Sequence, residues 1–251
     1  MRALLLAGGY GTRLKPLTNK LPKCMVPING RPLLDIWLEF LVSNGIKDIL
    51  VNTHYKSNFV ENYIKKSTWK DSVTITFEKN LLGTAGTILA NKDFFNNESF
   101  FVAHADNLTD FNLTDFIKKH NQKINKCPMT MMLFETDNPS SCGVVKTKDD
   151  IVIEFYEKKK EFNGKIANGA IFIFEPSIFQ IIKKIKRTEI DISKDLIPIL
   201  IGKINSYFNE TFFMDIGNIV SYNKANEVFK PNPMNRHNNK IFEKMLEDIS
   251  L

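Results

Sequence analysis

The feature that most constrains this chain is its start, where the apolar run Ala3-Leu4-Leu5-Leu6-Ala7 stops at Gly8-Gly9. A continuous apolar run without alternation is the pattern of a strand buried on both faces, which needs helices above and below it. A glycine-rich turn at the end of such a strand is where α/β folds meet phosphate groups, because backbone N–H groups and a helix N-terminus can point at anionic oxygens. Two common versions of that turn are absent. The dinucleotide fingerprint needs a third glycine where Leu14 stands, and the P-loop needs Gly-Lys-Ser/Thr where the chain has Gly11-Thr12-Arg13. What remains is Gly8-Gly9-x-Gly11-Thr12-Arg13, then Pro16-Leu17-Thr18 and Pro22-Lys23. Gly-x-Gly alone is often a simple turn. An arginine and a lysine ten residues apart add two cations suited to phosphate.

The rest of the chain first alternates strands and helices. Pro32 opens a helix with Leu34, Leu38 and Leu41 on one face and Gly45 as its stop. Ile49-Leu50-Val51 reads as a strand, and Phe59, Val60, Tyr63 and Ile64 recur at helical spacing. Val73 to Phe77 alternates like a strand, and Phe100 to Ala103 reads as a buried strand ending near Asp106. This order predicts an α/β fold, a Rossmann-like and mainly parallel mixed sheet flanked by helices. After about Cys127 the strands crowd together, at Met129–Leu133, Gly143–Lys146, Ile151–Tyr156 and Ala170–Phe174. Helical patterns follow at Pro176–Ile185 and around Asp195–Ile201, then a short strand near Phe212–Met214. Pro231-Asn232-Pro233 breaks regular structure, after which Ile241, Phe242, Met245, Leu246 and Ile249 share a helical face. That last helix either caps the core or packs on another copy of the chain. The predicted division is therefore one catalytic domain over residues 1–230, with halves of about 1–127 and 128–230, and a helical tail at 231–251.

Composition narrows the setting. Hydrophobic residues make up 43% and charged residues 25%, the balance of a water-soluble globular chain, and the longest apolar runs fall far short of the roughly 20 residues a membrane span needs. The opening Met1-Arg2 followed by leucines is too short for a signal peptide and runs straight into glycines. Cysteines 24, 127 and 142 are odd in number and show no paired spacing, which fits reduced thiols and a cytoplasmic location. The net charge of +6 suits nucleic acid or phosphorylated small molecules. No basic run is interleaved with aromatics, and the densest cluster, Lys158-Lys159-Lys160, reads as a solvated turn, so phosphorylated metabolites are the expected partners and nucleic acid and membrane are not.

From Gly8 to Lys23 every fixed position matches the opening pattern of the sugar nucleotidylyltransferases, Gly-Gly-x-Gly-Thr-Arg-Leu-x-Pro-Leu-Thr followed by Pro-Lys. The chain resembles that family, and its mannose-1-phosphate guanylyltransferases most closely. The likeness recurs at Leu82–Gly86, Cys142–Val145, Glu157-Lys158, Asn168–Ala170 and Met214–Gly217, in order, over residues 1 to about 230. The resemblance implies transfer of a nucleoside monophosphate from a nucleoside triphosphate to a sugar 1-phosphate, with Mg2+ and release of pyrophosphate. It implies that Leu6, Ala7, Gly8, Gly9, Gly11 and Thr12 cradle the triphosphate. Arg13, Lys23 and Asp106 are the implied catalytic residues, Arg13 and Lys23 neutralising phosphate charge. Asp106 and Asp215 would hold the metal. Glu78, Gly83 and Thr84 fall where the base and ribose are recognised, and Gly143, Glu157, Lys158 and Asn168 where the sugar phosphate is held.

The chain departs from the family pattern at Lys159, usually a proline, at Cys142, often a tyrosine in the guanylyl relatives, and in the segment His104-Ala105-Asp106-Asn107, where a Gly or Ser commonly stands just before the aspartate. GTP and a mannose- or heptose-type sugar 1-phosphate are the expected substrates, with uridylyl, thymidylyl or cytidylyl transfer, including to a phosphocholine-type acceptor, as alternatives. A non-catalytic nucleotide-sugar-binding regulator is a further alternative, which would be expected to lack one of Arg13, Lys23, Asp106 or Asp215. Relatives often carry a C-terminal left-handed β-helix; about 20 residues follow Lys230 here, so none is expected.

Overall fold

A computed structural model describes residues 1–122, 127–158 and 164–250. The chain runs through β1 (Arg2–Leu6), α1 (Leu17–Lys20), β2 (Pro27–Ile28), β3 (Arg31–Pro32), α2 (Leu33–Ser43), β4 (Ile49–Thr53), α3 (Ser57–Lys66) and β5 (Val73–Phe77). It continues through α4 (Thr84–Ala90), β6 (Phe100–His104), β7 (Asn107–Thr109), α5 (Leu113–Asn121), β8 (Met129–Glu135), β9 (Gly143–Lys148), β10 (Ile151–Glu157) and β11 (Ile166–Phe174). Last come α6 (Ile178–Ile182), α7 (Ile197–Leu200), β12 (Ile204–Phe208), β13 (Phe213–Asp215), α8 (Ile219–Val228) and α9 (Arg236–Ser250).

Two compact units emerge, each discontinuous in sequence. A loop unit holds residues 5–80, 104–108 and 214–251; a sheet unit holds 1–4, 81–103 and 109–213. In the loop unit the strand order is β5-β4-β1, with β4 and β5 parallel from Ile49↔Val73 to Thr53↔Phe77. Leu4 and Leu5 of β1 and every residue of β4 are buried, which is why both read as apolar runs rather than alternations.

In the sheet unit the order is β1-β6-β11-β8-β12-β10-β9, and β11 also pairs with β9. The sheet is mixed, as expected, but its parallel character is narrower than the sequence suggested. β8 and β12 run parallel, whereas β11 is antiparallel to β6, β8 and β9, and β10 is antiparallel to β9 and β12. For β9 and β10 the reason is local. Asp149 and Asp150 both take positive φ (50° and 63°), the backbone of a two-residue hairpin turn, so β9 and β10 pair directly without a crossover. Phe95, Phe100, Phe174 and Phe179 stack around the start of β6, with Phe95 and Phe100 centroids 3.9 Å apart.

The tail helix packs inward within the loop unit. Phe242 is 1% exposed and meets Tyr63 of α3 edge-on at 6.2 Å. Behind it lies Asp35, fully buried. It accepts from Arg31 Nε (2.7 Å), Tyr63 Oη (2.6 Å), Trp69 Nε1 (2.6 Å) and Asn238 Nδ2 of α9 (3.2 Å). Of the two readings of the tail, core capping is the one for which the structure supplies contacts. Among the described residues no helix is long and apolar enough to cross a membrane.

Candidate active site

The site grows from the end of β1. Leu6 still pairs, its carbonyl accepting from Ala105 N at 3.0 Å, and Ala7 N donates to Asn52 Oδ1 at 2.8 Å. The chain then turns through Gly8, Gly9 and Gly11. Gly11 has φ +63°, and a Cβ there would lie 2.8 Å from Thr18 Cγ2 and 3.1 Å from Lys23 Cβ. Only glycine fits that position without displacing Thr18, whose hydroxyl holds the Gly11 carbonyl at 2.8 Å. A single 3-10 turn, Thr12–Leu14, follows, and buried Leu14 anchors it while Arg13 stays exposed.

Lys23 leaves an extended Pro22 and reaches the turn between β6 and β7. Its ammonium forms an ion pair with Asp106 Oδ2 and stands 3.9 Å from Asp215 Oδ1. Ile216 N donates to the Asp106 carbonyl at 3.1 Å, which locks the two acidic segments side by side. Arg13 joins them: a Cβ added at Gly217 would sit 2.8 Å from Asp215 Oδ2 and 3.3 Å from Arg13 Nη2. Burial is the largest influence and opposes ionisation of Asp106, but the charges of Lys23 and His104 and the hydrogen bonds to Lys23 and backbone together outweigh it and hold that carboxyl below the usual carboxylate range. Partial burial, then repulsion from Asp106, push the Asp215 carboxyl up, more than Lys23 and Arg13 pull it down. The four residues singled out in the sequence therefore converge in the loop unit.

Glu78, at the end of β5, is 5% exposed and accepts Asn52 Nδ2 at 3.1 Å. Asn52, itself 3% exposed, was not among the residues the sequence singled out; its signal was an amide side chain directly after the apolar run Ile49–Val51. His54, two residues on, contacts the Glu78 carbonyl through Nδ1 and Tyr10 Oη through Nε2, both at 2.7 Å.

The remaining predicted residues lie in the sheet unit. Gly83 has φ +76°, and a Cβ there would strike the Ile190 main chain at 2.5 Å. The close approach this glycine permits in the structure is thus to protein backbone. Ala85 N and Gly86 N both donate to Ile190 O, while Thr84 Oγ1 accepts from Ile192 N at 2.7 Å. Gly143 lies across from Glu157 in the β9–β10 ladder, and a Cβ at 143 would meet the Phe155 ring at 2.6 Å and Glu157 Oε2 at 2.8 Å. Lys158, with φ +50°, points its ammonium to within 3.5 Å of Glu157 Oε1. Asn168 sits at an irregularity in β11 and folds its Oδ1 onto Ala170 N at 2.9 Å. Lys159 lies outside the described residues.

This geometry can be set beside known proteins. The nucleotidyl transferase family model matches residues 2–230. The chain belongs to that family. The chain is 34% identical over 229 residues to a mannose-1-phosphate guanyltransferase of Saccharomyces cerevisiae, covering 86% of this chain and 61% of that protein. It is 32% identical over 225 residues to the zebrafish mannose-1-phosphate guanylyltransferase catalytic subunit beta. The chain thus spans about three-fifths of the length of the curated relatives it matches. HddC from Yersinia pseudotuberculosis, solved with GMP-PN, superposes with a TM-score of 0.77 at 27% identity, covering 91% of this chain and 99% of HddC. A putative glucose-1-phosphate thymidylyltransferase from Bacillus anthracis gives 0.85 at 23% identity, covering 95% and 99%, and shares the fold.

Proposed function

We propose that the chain transfers a nucleoside monophosphate from a nucleoside triphosphate to a sugar 1-phosphate, with GTP as donor and a mannose- or heptose-type acceptor. The observation that carries this reading is the cluster of Arg13, Lys23, Asp106 and Asp215 in the same unit as the glycine loop, where a Cβ at Gly9 would meet nothing within 4 Å. In the reaction an oxygen of the sugar phosphate attacks the α-phosphorus. The bond between that phosphorus and the bridging oxygen breaks, and pyrophosphate leaves. Such a transfer asks the protein for alignment and charge neutralisation more than for covalent chemistry. The amides of Gly8 and Gly9 make no hydrogen bond to protein among the described residues, so they are available as donors to phosphate oxygens. Arg13 would grip the outer phosphates as a planar fork. Lys23 would place its charge on the phosphates during attack.

Asp106 and Asp215 suit a divalent ion. They already share one cation, Lys23, and among the described residues no cluster of three or more His, Cys, Asp or Glu offers an all-protein cage. Two carboxylates completed by substrate phosphates is the arrangement Mg2+ prefers. When bound, the ion would neutralise phosphate charge. Glu78, Gly83 and Thr84 serve the nucleoside in this reading; Gly143, Glu157, Lys158 and Asn168 serve the sugar phosphate. Residues 1–230 form its catalytic domain. The three cysteines, which form no disulfide among the described residues, fit a cytoplasmic setting. The guanine preference draws on the guanyltransferase names of the curated relatives and on HddC having been solved with GMP-PN. The test is a matrix of nucleoside triphosphates against sugar 1-phosphates, read as pyrophosphate release with Mg2+. Fastest release with GTP and mannose or heptose 1-phosphate is expected. No release with any pair would overturn the assignment.

A further inference from the structure

We propose that Asn52, His54 and Tyr10 form a latch that sets the glycine loop for the triphosphate, with Glu78 as its common anchor; this rests on the loop being a triphosphate cradle. Alternate residues of a strand share a face, so Asn52 and His54 leave the carboxyl end of β4 in the same direction. Asn52 holds the start of the loop through Ala7 N (2.8 Å) and ties itself to the Glu78 carboxylate (3.1 Å). His54 holds the loop's tip. The Glu78 carbonyl 2.7 Å from Nδ1 can only accept, so Nδ1 carries the proton and donates. In the neutral ring Nε2 is then an acceptor, and the Tyr10 hydroxyl 2.7 Å away donates to it. A doubly protonated ring would donate to the same tyrosine oxygen, so the contact survives either charge state. The Tyr10 ring also meets His54 edge-on at 5.1 Å and 89°.

Between the two gripped points lie Gly8 and Gly9, and a Cβ at Gly9 would meet nothing within 4 Å. Untethered, such a pair samples a wide range of backbone conformations. Gripped at Ala7 and Tyr10, it is ordered before ligand arrives, and phosphate binding no longer bears that ordering cost. Asn52, His54 and Tyr10 are positioning residues: they act on the nucleotide through the loop.

The experiment uses the full chain as wild type, Tyr10→Phe, His54→Ala and the double variant. Each single change is expected to raise KM for the triphosphate about three- to tenfold, the worth of one hydrogen bond, with the effect on KM exceeding that on kcat. Because both remove one contact, the double variant should be no worse than the poorer single. Trypsin cleavage after Arg13 in the ligand-free protein should accelerate by a similar factor in both singles, since buried Leu14 must open for the cut. Additive KM effects, or unchanged cleavage rates in both singles, overturn the latch. Proteolysis is independent of turnover. A wild type that releases no pyrophosphate therefore removes the transfer assignment while the latch is still judged by cleavage.

Discussion

The two compact units hold their charged residues in different ways. In the loop unit the charges are already paired: Lys23 is 12% exposed and shared by Asp106 and Asp215, and Glu78 is buried behind Asn52. In the sheet unit the charges face water: Lys158 is 58% exposed and only 3.5 Å from Glu157, on a turn with positive φ. A mostly buried ammonium held by carboxylates, such as Lys23, is costly to disturb, whereas an exposed pair contributes little to stability and is free to rearrange. Under the proposed function, the first would meet the triphosphate and the second the sugar phosphate.

Substitutions can break this contrast. The largest effect is expected from Asp106→Ala or Asp215→Ala, with turnover falling about a hundred- to a thousandfold or more while circular dichroism stays native. Full activity in both variants would refute the metal assignment. Next, Lys23→Ala should lower kcat about a hundredfold, whereas Lys158→Ala should raise KM for the sugar phosphate about tenfold and leave KM for the triphosphate alone. Equal effects of both lysines on both substrates would erase the distinction between the units.

Two stability tests sharpen it. Gly143→Ala forces a Cβ to within 2.6 Å of the Phe155 ring and should cost about 1–3 kcal/mol in urea unfolding, while Gly9→Ala, with open space, should cost much less. The smallest effect concerns thiols. Cys142 is partly exposed, but Cys24 and Cys127 are buried, and burial pushes the Cys24 thiol up from 9.0 to about 12. A thiol reagent at about pH 8 should therefore label Cys142 in the native protein and the other two only after denaturation. The sign for stability follows. Cys24 favours the fold fully below pH 9.0, where it is protonated folded or unfolded, and that contribution is lost as pH rises toward about 12. Unfolding by circular dichroism should thus become easier across that alkaline window.

Much of this was legible in local pattern. β1, β4 and β6 announced themselves as apolar runs, and α2 by Pro32 and by Gly45, whose φ is +87°. β12 was not read: Asn205 and Ser206 interrupt it, and they are buried only because β8 and β10 flank the strand. The antiparallel pairings of β11 were equally hidden, since strand direction depends on distant partners. In the site, Arg13, Lys23, Asp106 and Asp215 were found by motif, while Asn52 and His54 were not, because their meaning lies in contacts with residues 45 and 44 positions away.

The sequence by itself marked out the glycine loop and the two cations that follow it, because short-range spacing and residue chemistry define these, while the two carboxylates were singled out by resemblance to family motifs. Only the tertiary structure decided that Lys23 stands between Asp106 and Asp215, that α9 closes over Asp35, and that Asn52 of β4 and His54 just after it meet the loop. Each of these joins segments far apart in the chain. Such contacts are set by the packing of whole elements, to which no local spacing is sensitive.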